Sequence, residues 1–483
     1  MNYRAVLRYV GLVLAIEGLF MLPALLVCFI YGEMEAAKAM GVSFLLTTGI
    51  GGMMSQIRVK DGIYAREGFV IVALAWLGMS FFGALPFWIS REIPSFVDAF
   101  FETVSGFTTT GSSILTNVEA LGYGMLYWRS FSHWLGGMGV LVFLLAIVPL
   151  ARGSGETLHL LRAESPGPAP GKMTPTIRET SRALYGIYVA LTLLEIVLLL
   201  LGGMPLFDSV VNSLATAGTG GFAIKNASIA AYDSAYLQGV IAVFMALFGE
   251  NFNMYYLLLL KNARSVWKNE ELRAYLGIMA TATLIIGFDI LPAYESTGKA
   301  FLDSFFQVSS VMTTTGFATA DFNLWPQLSR LMLVLLMFIG ASAGSTGGGI
   351  KVSRIMILLK HMVREMRVML RPRSVHVSRM DGKVLEHSTV QGASAFLVAY
   401  CIISCVSMLL ISLDNFSLET TTTAVIACIN NIGPGLDMVG PTGNYSQFSN
   451  FSKIILSLDM LIGRLEIFPV LMLFVPRVWK KRV

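Results

Sequence analysis

Charge is what this chain has least of. Only 13% of its 483 residues are Asp, Glu, Lys or Arg, against roughly 25% in soluble proteins. A soluble chain of this length would form about three domains, and so few ions could not solvate their surfaces. Cysteine is rarer still. Cys28, Cys401, Cys405 and Cys428 lie in apolar surroundings without metal-ligand spacing, so they read as small core residues rather than disulfides or ligands. The five scattered histidines make no zinc site. An intramembrane enzyme would need paired Asp, a Ser–His pair or a His-rich metal site within its spans. Asp289 and Asp459 lie near span positions but in unlike motifs, and that class is set aside. What is plentiful is apolar sequence: 55% of residues, with a mean hydropathy of +0.68. Apolar runs continue from start to end and leave no stretch for a large soluble enzyme domain. The class is an all-α polytopic membrane protein.

The cations are placed unevenly. About 27 of the 35 Lys and Arg fall at the N-terminus (Arg4, Arg8) and in five polar segments: Arg58 to Arg66, Arg152 to Arg182, Lys261 to Arg273, Lys351 to Lys383, and Arg477 onward. By the positive-inside rule these are cytoplasmic. Loops between spans explain them better than nucleic acid does, and the run Lys360 to Lys383 suits anionic lipid headgroups. Val6 to Tyr31 exceeds the roughly 7–15 residues of a signal-peptide core and is expected to span, as is Ala36 to Ile57.

Beyond Gly68 the chain repeats a unit of span, half-length apolar segment, Gly/Thr-rich turn and span. The half-length segments end in Phe101-Glu-Thr-Val-Ser-Gly-Phe-Thr-Thr-Thr-Gly111, Val211-Asn-Ser-Leu-Ala-Thr-Ala-Gly-Thr-Gly-Gly221, Phe306-Gln-Val-Ser-Ser-Val-Met-Thr-Thr-Thr-Gly316 and Thr423-Ala-Val-Ile-Ala-Cys-Ile-Asn-Asn-Ile-Gly433. The implied division is two N-terminal spans (1–67) and four repeats (68–182, 183–272, 273–391, 392–483). Asp98, Asp208 and Asp303, with Thr420 in the fourth copy, are expected as helix N-caps. Segments of about ten residues cannot cross a bilayer as helices. They read as re-entrant, with returning backbone whose carbonyls must line a protein-walled, watery cavity. Four such loops around one axis give a ring of carbonyl oxygens, the arrangement that replaces the hydration shell of potassium. The candidate filter residues are Thr109, Thr110, Gly111, Gly220, Gly221, Thr314, Thr315, Gly316, Asn431, Ile432 and Gly433.

Taken together, Phe107-Thr-Thr-Thr-Gly-Ser112, Gly220-Gly-Phe222, Thr313-Thr-Thr-Gly-Phe317, Asn430-Asn-Ile-Gly-Pro-Gly435, Gly344-Ser-Thr-Gly-Gly-Gly-Ile-Lys351 and Gly463-Arg-Leu-Glu466 resemble the pore subunit of the Trk potassium-uptake family (TrkH-like), within the Trk/Ktr/HKT superfamily. The resemblance covers essentially the whole chain. It implies four pseudo-repeated span–pore loop–span units around one central pore, a homodimer, a bacterial inner-membrane location, and a cytoplasmic nucleotide-binding regulatory subunit (TrkA-like). Gly at all four filter positions goes with potassium in that superfamily, whereas Ser in the first repeat goes with sodium. The alternatives are sodium/potassium cotransport within the superfamily and a secondary transporter with inverted repeats; the copies here run in one direction, which argues against inversion.

Arg464 lies within the expected last span, Ile454 to Phe474. A cation at that depth costs roughly 2.5–3.5 kcal/mol, so it should either face the permeation path as a barrier, the role the resemblance implies, or pair with Glu466 or a helix-end carbonyl. Gly340 to Gly349 interrupts the third repeat's second span. Three consecutive glycines destabilise a helix by about 1 kcal/mol each relative to Ala, so a broken helix is expected. The resemblance implies that Gly344, Ser345, Thr346, Gly347, Gly348 and Gly349 form an intramembrane gating loop. That string lacks the Lys-Ser/Thr of a phosphate loop, and Gly218-Thr-Gly-Gly-Phe-Ala223 lacks a strand–turn–helix context. No nucleotide is expected to bind this chain. His133-Trp134 reads as packing or interfacial anchoring, and Glu250-Asn251, amid the apolar run Val240 to Leu260, as a polar contact between helices, with pore lining the alternative.

Overall fold

The computed structural model describes residues 1–59, 64–137, 139, 177–371 and 376–480, with backbone alone at 65 and 177–181. Most of the expected basic segment Arg152 to Arg182 lies outside the described residues. Among those described, the chain is helical nearly throughout, and its one sheet is a hairpin pairing Arg379–Met380 with Lys383–Val384. Five helices there are long and apolar enough to cross a membrane: Tyr3–Tyr31, Arg66–Ile89, Arg182–Leu201, Glu270–Ala293 and His387–Asp414. Met34–Ser55 packs along the first of them. Glycine permits that closeness. A Cβ on Gly51 would fall 2.4 Å from the Ala15 nitrogen, and one on Gly11 would fall 2.3 Å from Met54 Cβ. Small residues let helix backbones approach where lipid removes the hydrophobic drive.

Four units follow. Each has a long helix (Ala65–Gly83, Ile177–Leu201, Glu270–Ile290, His387–Ile411) and then a short buried one (Phe96–Phe107, Leu206–Gly218, Thr297–Met312, Leu418–Ile429). The short helices hold 12, 13, 16 and 12 residues. At 1.5 Å per residue they reach about 18–24 Å, less than the roughly 30 Å hydrocarbon core. A non-helical segment and a 3₁₀ turn lead to a closing helix: Tyr123–Gly137, Ala235–Phe248, Gln327–Ile339 or Asn450–Arg464.

The expected aspartate caps are not caps. Ser95, Pro205 and Ser296 hold the N-cap positions. Asp98 accepts from Lys453 Nζ at 2.6 Å, Asp208 from Tyr232 Oη at 2.7 Å, and Asp303 from Thr319 Oγ1 at 2.9 Å. In the fourth unit the roles are exchanged, and the Thr420 hydroxyl donates to Asp437 at 2.7 Å. The first bond ties a short helix to the closing helix of the fourth unit, and the other three tie a short helix to the loop that follows it. Spacing along the chain cannot separate a carboxylate that caps from one, inside the helix, that reaches across.

Three of the closing helices break. Ala235–Phe248 and Phe252–Leu259 meet at 91° around Gly249, so the run Val240 to Leu260 is not one straight span. Gln327–Ile339 stops at Gly340 and helix resumes only at Val352. The expected last span is also two helices, because Asn450–Arg464 ends where Glu466 and Ile467 take φ of 55° and 73°, before Phe468–Leu473. Arg464 therefore sits at a helix C-terminus, where the macrodipole favours a cation.

Candidate functional site

The four short helices end in loops with one shared backbone pattern. A residue in the left-handed region is followed two positions later by a glycine of positive φ: Thr109 (56°) and Gly111 (83°), Thr219 (54°) and Gly221 (73°), Thr314 (62°) and Gly316 (86°), Asn431 (56°) and Gly433 (92°). Left-handed backbone costs a non-glycine residue roughly 1–2 kcal/mol, so its recurrence in four loops marks a site that needs it. In an extended chain successive carbonyls point to opposite sides, and alternating the sign of φ turns them to the same side.

The loops touch in a closed circuit. A Cβ on Gly111 would fall 2.1 Å from the Gly220 carbonyl oxygen, on Gly221 2.0 Å from that of Thr315, on Gly316 2.2 Å from that of Ile432, and on Gly433 2.7 Å from that of Thr110. Each loop's glycine thus abuts the carbonyl preceding the next loop's glycine, and the fourth loop returns to the first. All the candidate filter residues lie in this ring, and the side chains of Thr109, Thr110, Thr314, Thr315, Asn431 and Ile432 are fully buried. Thr219, which matches Thr109 in register, belongs with them, though the sequence reading passed over it.

A polar scaffold stands behind the ring. The Thr108 and Thr110 hydroxyls share a hydrogen bond of 2.7 Å, and Thr313 and Thr315 one of 2.8 Å. Asn431 Nδ2 donates to Thr110 Oγ1 at 2.9 Å. His133 is fully buried, not interfacial. Its Nε2 accepts from the Phe222 N–H at 3.2 Å, which leaves Nδ1 to donate to the Gly106 carbonyl at 2.8 Å as a neutral tautomer. Glu102 and Arg129 form a buried ion pair at 2.6 Å. Glu102 also accepts from the Ile114 N–H at 2.9 Å, while Arg129 donates to the Ala223 carbonyl at 3.0 Å and lies 3.7 Å from the Phe222 ring centre. The pair straps the chain beyond Gly111 to the chain beyond Gly221. The sequence reading missed it, although the repeat carried a signal. Glu102, Asn212 and Gln307 are polar at the same register, and Gln307 likewise holds its own loop, by donating to the Ala320 carbonyl at 3.2 Å.

The Gly340–Lys351 break lies against the third and fourth loops. A Cβ on Gly347 would fall 2.8 Å from the Thr313 carbonyl oxygen, and one on Gly348 2.4 Å from that of Asn430. The Gly348 N–H donates to Thr314 Oγ1 at 2.7 Å. Gly344 accepts from the Phe252 N–H at 3.1 Å, and Thr346 Oγ1 donates to the Phe248 carbonyl at 3.1 Å. Glu250 accepts from Ser342 at 3.3 Å, so its contact is with this loop. Glu271, unnoticed in the sequence, accepts from the Ala343 N–H at 2.7 Å and the Ser353 N–H at 3.2 Å, on either side of the glycines. The adjacent Glu270 accepts from the Asp381 N–H at 3.0 Å in the hairpin Arg379–Val384 and pairs with Lys360.

Arg464 donates to the Thr346 carbonyl at 2.7 Å and to the Gly136 carbonyl at 2.6 Å. Glu466 pairs instead with Arg354, at the start of Val352–Leu370. Of the expected alternatives for Arg464, the helix-end carbonyl is present, and the second carbonyl belongs to the glycine-rich loop itself.

Residues 41–481 match the family model described as TrkH, cation transport protein. The chain is 37% identical to the Trk system potassium uptake protein TrkH of Salmonella typhimurium over 100% of both chains. It is 32% identical to the Trk system potassium uptake protein TrkG of Escherichia coli, covering 99% of both. The crystal structure of the potassium transporter TrkH from Vibrio parahaemolyticus superposes with a TM-score of 0.88 at 34% identity, over 99% of this chain and 100% of that one.

Proposed function

This chain belongs to the TrkH family of cation transport proteins, and we propose that it carries potassium into the cell through a filter built from its four loops. The observation that carries the reading is the closed circuit of Gly111, Gly221, Gly316 and Gly433 against the neighbouring loops' carbonyls. Such a ring offers oxygens in place of the ion's hydration shell. The names of full-length relatives, Trk system potassium uptake proteins, support the same ion.

Gly344 to Gly349 form the gate and Arg464 the barrier and latch. The contacts of Gly347 and Gly348 with the third and fourth loops favour the gate, and the hydrogen bond from Arg464 to Thr346 favours the latch. The hairpin around Asp381, tied to Glu270 beside Glu271, gives a cytoplasmic regulatory subunit a handle on that loop. Any regulatory nucleotide acts through that partner. A homodimer in the bacterial inner membrane completes the proposal.

Growth of a potassium-uptake-deficient bacterium at low potassium, with flux measured under ion replacement, tests it. Rescue with potassium-selective flux is expected. Rescue failure by a well-expressed protein, or flux carried equally by sodium, overturns it.

A further inference from the structure

Glu17 lies inside the first membrane helix at 2% exposure, and neither carboxyl oxygen has a hydrogen-bond partner among the described residues. It faces a cavity of about 50 Å³ whose walls include Phe20, Trp76, Met79, Phe107 and Gly136. Apart from the carboxyl its lining residues are apolar or glycine. Phe107 ends the first short helix, so the cavity backs directly onto the first loop. Gly83 leaves space for the acid, because a Cβ there would fall 3.1 Å from Glu17 Oε1.

We propose that Glu17 and this cavity form a proton-binding site behind the first filter loop, its ligand a proton. A carboxylate there would be an unpaired charge between apolar walls, the state proteins avoid by neutralising the group. Buried polar atoms without partners are few in folded proteins and call for an explanation of this kind, and an ionisable group within a membrane span marks a functional site by default.

Among the described residues, the titratable groups on the surrounding elements are engaged elsewhere. Glu102 pairs with Arg129, Glu67 with Arg66, and His133 bridges Gly106 and Phe222. Arg464 is not in the cavity's wall but touches two residues that are. It donates to the Gly136 carbonyl, and its guanidinium carbon lies 6.0 Å from the Trp76 ring centre. Proton loss from Glu17 would set a negative charge beside Gly136 and Trp76, the wall residues that Arg464 touches from behind, and so draw on Arg464 in competition with the Thr346 carbonyl. This consequence rests on the latch reading above; the proton site does not.

Infrared spectra of the full-length protein in lipid vesicles test the site. At neutral pH the wild type is expected to show a protonated-carboxyl stretch that is reduced in Glu17→Gln. An unchanged band overturns the proposal. Rubidium uptake into the same vesicles tests the consequence. Wild-type flux is expected to rise several-fold from mildly acidic to alkaline pH, while Glu17→Gln stays at its acidic value. A Glu17→Gln protein that keeps the full pH response overturns the link to Arg464. If neither protein conducts, the transport reading fails and the infrared result still decides the site.

Discussion

The guanidinium of Arg464 donates to the main-chain carbonyl of Thr346 at 2.7 Å, so the cation of the last repeat is bonded to the loop of the third. A hydrogen bond from a charged group contributes roughly 1.5–3 kcal/mol. Arg464→Ala removes this bond, its companion to Gly136 and the positive charge near the ring. Basal potassium flux should rise several-fold with normal expression. Tracer uptake into vesicles of purified protein checks this, and flux at or below wild type would argue against a latch.

Gly111 combines a φ of 83° with a carbonyl oxygen 2.1 Å from where a Cβ would sit. No side chain fits without moving backbone of the second loop. Gly111→Ser should therefore lower the potassium-to-sodium preference while the protein still folds, because the displacement falls on one quarter of the ring. Flux ratios equal to wild type would place selectivity elsewhere.

Glu271 holds two N–H groups that flank the glycine-rich break. Glu271→Ala leaves the buried Ser353 N–H unpaired, at about 1–3 kcal/mol, and frees the half-buried Ala343 N–H. The loop should loosen, basal flux should increase, and control by any regulatory subunit should weaken. Deleting Gly344 to Gly349 should do the same more strongly. A well-expressed deletion with wild-type flux and intact regulation would leave helix packing as the glycines' only role.

The Glu102–Arg129 pair is a stability element with both side chains buried. Arg129→Ala strands a carboxylate and should cost about 3–5 kcal/mol, whereas replacing both residues by apolar ones of similar volume should cost less. Thermal unfolding of the detergent-solubilised single and double variants distinguishes these outcomes.

Hydrogen bonds from Ser417 and Thr420 hold the Asp437 carboxyl below its ordinary value. A group depressed on folding stabilises the fold above the unfolded value, about 3.9 for Asp, and loses that contribution as pH falls through its folded value. The fourth outer turn should keep its amide protection at neutral pH and lose it selectively in acid. Hydrogen exchange at residues 437–440 reads this directly. Asp437→Asn should show the weakened turn at all pH values.

Much of this protein is legible along the chain because the causes are local. Hydropathy sets the membrane class, since lipid forces apolar helices wherever they occur. Gly111, Gly221, Gly316 and Gly433 were readable because positive φ is a property of one residue, and the break at Gly347–Gly349 because helix propensity is summed over neighbours. Tertiary structure alone decided which groups meet. Arg464 finds carbonyls 118 and 328 residues away, and Asn431 finds Thr110 at a separation of 321. The ring closes only when the fourth loop reaches the first, and no local preference encodes that approach. The buried carboxyls show the same limit. Glu17 and Glu102 each lie in an apolar stretch and Glu271 is the second of two adjacent acids, yet folding gives one a cavity, one an arginine and one a pair of loop amides. A side chain's chemistry is written in the sequence, but its partner is set by how distant helices pack.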